Sequence, residues 1–163
     1  MGRVERLTDL VYGSLAAIKT EPTIVLRYME HLGGVALLCA LLARKRGLDA
    51  EICQAAGLLH DLWLYRKGFP ITPEERKLHG EYGAVLAREM TERAGGFSEG
   101  EIQIIRAMVF NHNYKEETHG EYDELLKDAD AFAHLLTNSE YDKTYRYFGR
   151  GDRVLSELGL AET

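Results

Sequence analysis

Residues 72–96, TPEERKLHGEYGAVLAREMTERAGG, decide the fold class. Thr72 is a helix N-cap residue, Pro73 fills the first helical position where its missing N–H has no partner to lose, and Glu75 stands three residues after the cap, as in a capping box. His79, Gly83, Leu86 and Met90 then recur on one face at the helical period, and Gly95-Gly96 stops the run. This is a complete amphipathic helix to about Arg93, with a histidine on its inward face and a small residue one turn later that leaves room for another helix or a ligand.

The same period governs the rest of the chain. Val4, Leu7, Val11, Leu15 and Ile18 make the stripe of a first helix from about Arg3 to Ile18, and Pro22 opens a second that runs to about Arg46 and stops at Gly47. Asp49 caps a third helix through Leu59 and the residues just after it, ending before Gly68-Phe69-Pro70. Ser98 and Glu101 repeat the capping box at the head of a helix reaching about His112. Residues 113–120 read as a polar loop, and a further helix follows from about Tyr122 to Leu136. Tyr141, Tyr145 and Phe148 form an aromatic stripe, which reads more simply as core than as a pocket floor for a nucleobase. Val154, Leu155 and Leu158 belong to a short terminal helix. No segment alternates long enough to be a strand. The expectation is an all-α bundle of about six to seven helices forming a single domain over residues 1–163, with helices in 139–160 completing it.

Composition narrows the function. The chain has 163 residues, 45% apolar and 28% charged, which excludes disordered and fibrous classes. Lys plus Arg number 20 against 26 Asp plus Glu, a net charge of -6 without a basic block, so duplex nucleic acid is not an expected partner. With no apolar run near the ~20 residues of a bilayer crossing and no signal-like N-terminus, a cytoplasmic protein away from the membrane is expected. Cys39 and Cys53 lack CxxC spacing and read as buried thiols.

The six histidines are what composition leaves unexplained. His31 lies on the stripe His31, Val35, Leu38, Leu42. His60-Asp61 emerges together behind the apolar run Ala55-Ala56-Gly57-Leu58-Leu59. His112 closes the stripe Ile105, Met108, Val109, and Asp130 shares a face with Leu126 and Ala133. A lone inward histidine is ordinarily a satisfied core residue. Four of them with two aspartates on separate helices require partners, because buried imidazoles and carboxylates are costly unless paired or bound to a cation. Mixed imidazole and carboxylate donors suit Mn, Fe, Co, Ni or Zn, and paired metals clamp the attacking and leaving oxygens of an in-line displacement.

Over residues 27–136 this pattern resembles the HD-domain metal-dependent phosphohydrolases, whose members show a histidine, a His-Asp doublet and a distal aspartate. Here those are His31, the doublet in AAGLLHDLW, and Asp130 in LLKDADAFAHLL. HGEYGAVLAREM resembles the family's intermediate helix, and IIRAMVFNH ends on a histidine in the place of the other second-metal ligand. The resemblance implies that His31, His60, Asp61 and Asp130 hold one divalent ion and Asp61, His79 and His112 another, with Asp61 the catalytic bridge, in a helical bundle. It further implies hydrolysis of a small phosphate ester or anhydride, a nucleotide among the candidates, by metal-activated water. Asp130 is favoured over Asp128 by the family's Ala-Asp usage, which leaves Asp128, with His134, standing behind the ligands.

Arg27, one turn before His31, and Arg66, Lys67 and Lys77 are candidate substrate-binding cations, each as readily an ordinary solvated charge; His119 reads as loop surface or pocket rim. The chain lacks the Glu-Pro-and-Arg tail of the family's dinucleoside polyphosphate hydrolases, the length of its alarmone hydrolases, and the tandem His-His and Gly-Tyr-Pro of its cyclic dinucleotide phosphodiesterases. An HD-type di-iron oxygenase and a non-catalytic HD-like binding module are the competing readings. Substrate, metal identity and number, oligomeric state, and whether Asp128 rather than Asp130 is the distal ligand stay open at this level.

Overall fold

The computed structural model describes residues 1–137 and 149–160; Tyr141, Tyr145 and Phe148 lie outside them. Its longest helix carries His31 through the middle of the bundle. This is α2 (Pro22–Arg46), opened by Pro22 and closed by Gly47 in the left-handed conformation at φ 72°, where a glycine has no Cβ penalty. By length and mean hydropathy α2 is apolar enough to cross a bilayer, contrary to the expectation that no such run exists. In the bundle its inward face, Tyr28, Leu32, Val35, Ala36, Cys39, Leu42 and Ala43, is core.

Around α2 stand α1 (Arg3–Ala16), α3 (Ala50–Leu59), α4 (Leu62–Lys67), α5 (Pro73–Ala94), α6 (Glu99–Asn111), α7 (Glu121–Thr137) and α8 (Arg150–Glu157). Seven helices of eight residues or more, and no strand among the described residues, make this an all-α fold. The capping boxes form as read: Thr72 Oγ1 accepts from the Glu75 amide at 3.1 Å and the Glu75 carboxylate returns to the Thr72 amide at 2.9 Å. Ser98 and Glu101 repeat the arrangement on α6, and Asp49 accepts from the amides of Glu51 and Ile52 at the head of α3.

α2 packs on α3 and α7, α5 on α6 and α1, and α7 on α8, burying a shared core that includes Leu7, Leu15, Leu59, Leu62, Met90, Ile105, Met108 and Phe132. Cys39 and Cys53 are free thiols inside it, as read from the sequence. One boundary differs. The third helix does not run on past Leu59: His60 keeps helical angles, Asp61 leaves them at φ -109°, ψ 6°, and α4 restarts at Leu62. The interruption falls on the doublet itself and turns both side chains to the same interior space, a rotation that an unbroken helix, at about 100° per residue, does not give adjacent residues.

Candidate metal centre

Two glycines set the distances at the centre. A Cβ on Gly57 would stand 2.7 Å from the Cα of Ala36, and one on Gly80 would stand 2.6 Å from the Phe110 carbonyl oxygen. Backbones therefore touch where α3 crosses α2 and where α5 crosses α6. Gly83 extends the second crossing, its absent Cβ leaving room for Val109 and the His60 carbonyl. The space expected beside Gly83 is occupied by another helix.

These crossings bring His31 from α2, the His60-Asp61 break, His79 from α5, His112 at the end of α6 and Asp130 from α7 to one interior space. His31, His60 and Asp130 form one group of donor atoms and Asp61, His79 and His112 a second, each with its donors within 4.8 Å of one another. The Nε2 atoms of His31 and His60 are 3.2 Å apart, and those of His79 and His112 are 3.0 Å apart. Asp61 lies between: its Oδ1 is 3.3 Å from His79 Nε2 and 3.4 Å from His112 Nε2, while its Oδ2 is 3.6 Å from His60 Nε2 and 3.9 Å from His31 Nε2. Asp130 Oδ1 closes the first group at 3.5 Å from His31 and 3.6 Å from His60.

Hydrogen bonding fixes which ring nitrogens face inward as lone pairs. His60 Nδ1 donates to the Gly57 carbonyl, His79 Nδ1 to Arg76 and His112 Nδ1 to Val109, each three residues back. A carbonyl only accepts, so the proton sits on Nδ1 and the inward Nε2 is left basic, the arrangement by which ligating histidines are oriented. Asp130 Oδ1 is buried and accepts no well-formed hydrogen bond among the described residues, its nearest polar neighbours being the imidazole nitrogens of His134, His31 and His60 at 3.3–3.6 Å. A buried carboxylate oxygen so weakly satisfied beside converging lone pairs costs free energy that a cation removes, so these residues fit one or two divalent ions.

The electrostatics agree. Burial pushes the His112 pKa down to about 4, against the pull of Asp61, keeping that ring neutral. Burial also opposes ionisation of Asp130, but the Lys115 ammonium outweighs it and holds the carboxyl well below its usual range. At His60 burial opposes protonation and the carboxylates of Asp61 and Asp130 prevail, raising its pKa.

The surrounding residues divide differently from the sequence reading. His134 stands behind Asp130, its Nε2 3.3 Å from Asp130 Oδ1 and its ring 4.8 Å from that of His31. Asp128, expected behind the ligands, turns the other way to ion-pair with Arg46, Arg150 and Arg153 at 2.8–3.2 Å; α7 presents residues two apart to opposite sides. Asp128 thus locks α8 and α2 onto α7, and no donor group includes it. Among the candidate cations, Arg27, Arg66 and Lys77 are exposed, and Lys67 pairs with Glu75 at 3.2 Å; none contacts the centre in the described structure. The cation that does is Lys115, whose Nζ donates to Asp130 Oδ2 at 2.6 Å and to the His112 carbonyl at 2.8 Å. It sits in the 113–120 loop, where no period marks it. His119, in the same loop, bonds through Nδ1 to the buried Lys127.

Residues 28–135 match the HD domain family. Among curated proteins, the chain is 29% identical over 152 residues to a ribonuclease Y from Cutibacterium acnes, covering 93% of this chain and 26% of that protein. It is 29% identical over 122 residues to a ribonuclease Y from Pseudothermotoga lettingae, covering 75% and 21%, and 27% identical over 133 residues to one from Pelobacter propionicus, covering 80% and 23%. The chain thus spans about a quarter of the length of these relatives. No solved structure matches it significantly.

Proposed function

This chain belongs to the HD-domain family, and from that premise we propose that it is a metal-dependent phosphohydrolase that cleaves a small phosphate ester or anhydride, a nucleotide among the candidates. The observation that carries the reading is the division of Asp61, one oxygen toward the His79–His112 pair and the other toward His31 and His60. That geometry suits a carboxylate shared by two cation sites.

Bound divalent ions would supply Lewis acidity, lowering the pKa of water towards ~7 and offsetting charge on the phosphoryl oxygens. The chain's own residues prepare that chemistry. His31, His60 and Asp130 would hold one ion and Asp61, His79 and His112 the other. The Nδ1 bonds to backbone carbonyls keep the rings in one tautomer and one orientation. Burial of His60, His79 and His112 keeps the floor of the site dry, which strengthens every charge interaction made there. Asp61 would act as the catalytic bridge by fixing the spacing of the two sites.

The test is a panel of an aryl phosphate, a bis-aryl phosphodiester, mononucleotides and short single-stranded RNA, with Mn, Co or Ni and metal content measured. Release of phosphate from a monoester, or of the aryl alcohol from the diester, abolished by His60→Ala and Asp61→Ala, supports the reading; no hydrolysis across the panel at full metal content overturns it. The likeness to ribonuclease Y proteins supports a second reading in which the bond cleaved is an RNA phosphodiester, and the RNA arm decides it. Iron near two per chain with an oxygen-dependent reaction would instead favour an oxygenase.

A further inference from the structure

The loop between α6 and α7 delivers a lysine to the junction of the two donor groups. Lys115 Nζ touches Asp130, a member of one group, and the backbone carbonyl of His112, whose ring belongs to the other. The loop is anchored at several points. Arg150 donates to the Lys115 carbonyl through Nε at 3.1 Å and Nη2 at 2.9 Å. Lys127, with a side chain fully buried, donates to the Glu117 carbonyl and to Glu124 Oε1, both at 2.9 Å, and Asn113 Nδ2 ties the loop to the Lys77 carbonyl at 2.9 Å. A lysine held this way has its reach defined by the fold.

Two observations and one charge argument point past simple neutralisation of Asp130. An ammonium group has three donors, and two acceptors are assigned to this one, leaving a third for a ligand. The side chain keeps 17% exposure while Asp130 keeps 6%, so the lysine stands on the open side of the carboxylate. Finally, two carboxylates would not neutralise two divalent ions together with a lysine, so a centre loaded with both would carry net positive charge that an incoming anion offsets. Placing a cation beside divalent ions is otherwise costly.

We propose that Lys115 is a substrate-binding residue that donates to a non-bridging oxygen of a terminal, doubly charged phosphate, so that the centre prefers phosphate monoesters to internal diesters. This rests on the phosphohydrolase reading and assigns to one loop lysine the role that the sequence offered to Arg27, Arg66, Lys67 and Lys77.

The experiment uses the full chain loaded with Mn, with metal content measured for each variant. Inorganic phosphate is titrated calorimetrically into wild type, Lys115→Met, Lys115→Gln and Lys115→Arg, and kcat and KM are measured on an aryl phosphate and a bis-aryl phosphodiester. A charge-assisted hydrogen bond predicts that phosphate Kd rises at least about tenfold in the uncharged variants and recovers in the Arg variant, with monoester KM rising more than diester KM. Unchanged phosphate affinity in an uncharged variant of wild-type metal content, or equal losses on the two esters, overturns the proposal. Should Lys115→Met not retain metal, Lys115→Gln, which keeps a polar donor without the charge, decides by the same criterion. Wild type that binds phosphate yet hydrolyses nothing sinks the phosphohydrolase reading alone, and the calorimetric comparison still judges the lysine; wild type that binds no phosphate overturns the lysine assignment.

Discussion

His79 and His112 meet Nε2 to Nε2 at 3.0 Å, while each ring turns its Nδ1 to a carbonyl of its own helix. With the protons on Nδ1, two lone pairs face each other, and the adjacent atom of Asp61 is a carboxylate oxygen. Three electron-rich atoms at such distances repel unless a cation lies among them. Stripping divalent metal with a chelator is therefore expected to lower the melting temperature, and restoring Mn, Co or Ni to raise it with metal concentration; at a hundredfold excess over Kd, linkage gives about 2.7 kcal/mol per site. A melting curve indifferent to metal and chelator would count against the centre.

Asp61→Asn removes the charge shared by both donor groups while keeping the side chain's size. Metal content measured by elemental analysis should fall at both sites, and kcat on the responsive substrate should drop roughly a thousandfold or more, equivalent to about 4 kcal/mol. His79→Ala should empty only the site it shares with His112, so the two variants differ in stoichiometry as well as in rate.

Gly80→Ala tests how the centre is spaced. The added Cβ would stand 2.6 Å from the Phe110 carbonyl oxygen, and backbone cannot yield as a side-chain tip can, so α5 and α6 must part. Overpacking of this kind costs about 1–3 kcal/mol, read as a lower denaturation midpoint. Metal affinity should fall too, because His79 lies one residue away. Gly34→Ala is the control, since a Cβ there meets nothing within 4 Å.

Acid sensitivity should include a contribution from Glu124, whose carboxyl is depressed to about 2; burial opposes the shift, and Lys127, the His119 amide and Arg150 outweigh it. A carboxyl with a lowered folded-state pKa stabilises the fold above its ordinary value of 4.5 and loses that contribution as pH falls towards about 2. Glu124→Gln should thus be less stable at pH 7 by roughly 1–3 kcal/mol, with a shallower fall in stability between pH 5 and 2 than wild type. Parallel curves for the two proteins would show that the ion pairs contribute nothing.

Much of this was legible locally. Thr72 with Glu75, Ser98 with Glu101, Asp49, Pro22 and Gly47 mark helix ends because capping is satisfied within a few residues of chain, and the observed helices begin and stop there within about two residues. The inward faces carrying His31, His79, His112 and Asp130 follow from the 3.6-residue period alone. The break at His60-Asp61 escaped that logic. Apolar spacing continues to Leu62, three and four residues after Leu59 and Leu58, and nothing in the local sequence opposes helix across the doublet.

The sequence by itself determined that the chain is helical, where its helices are punctuated, and which four histidines and two aspartates are set against apolar surroundings. Only the tertiary structure decided how they meet. The division of the Asp61 oxygens between two imidazole pairs, the turning of Asp128 to three arginines and the arrival of Lys115 beside Asp130 all depend on contacts between residues distant in the chain. The first of these rests on helix crossings at Gly57 and Gly80, where the missing side chain allows backbones to touch. Caps and periodicity act within a turn or two, whereas the spacing of donor atoms from separate helices follows from how closely the helices pack.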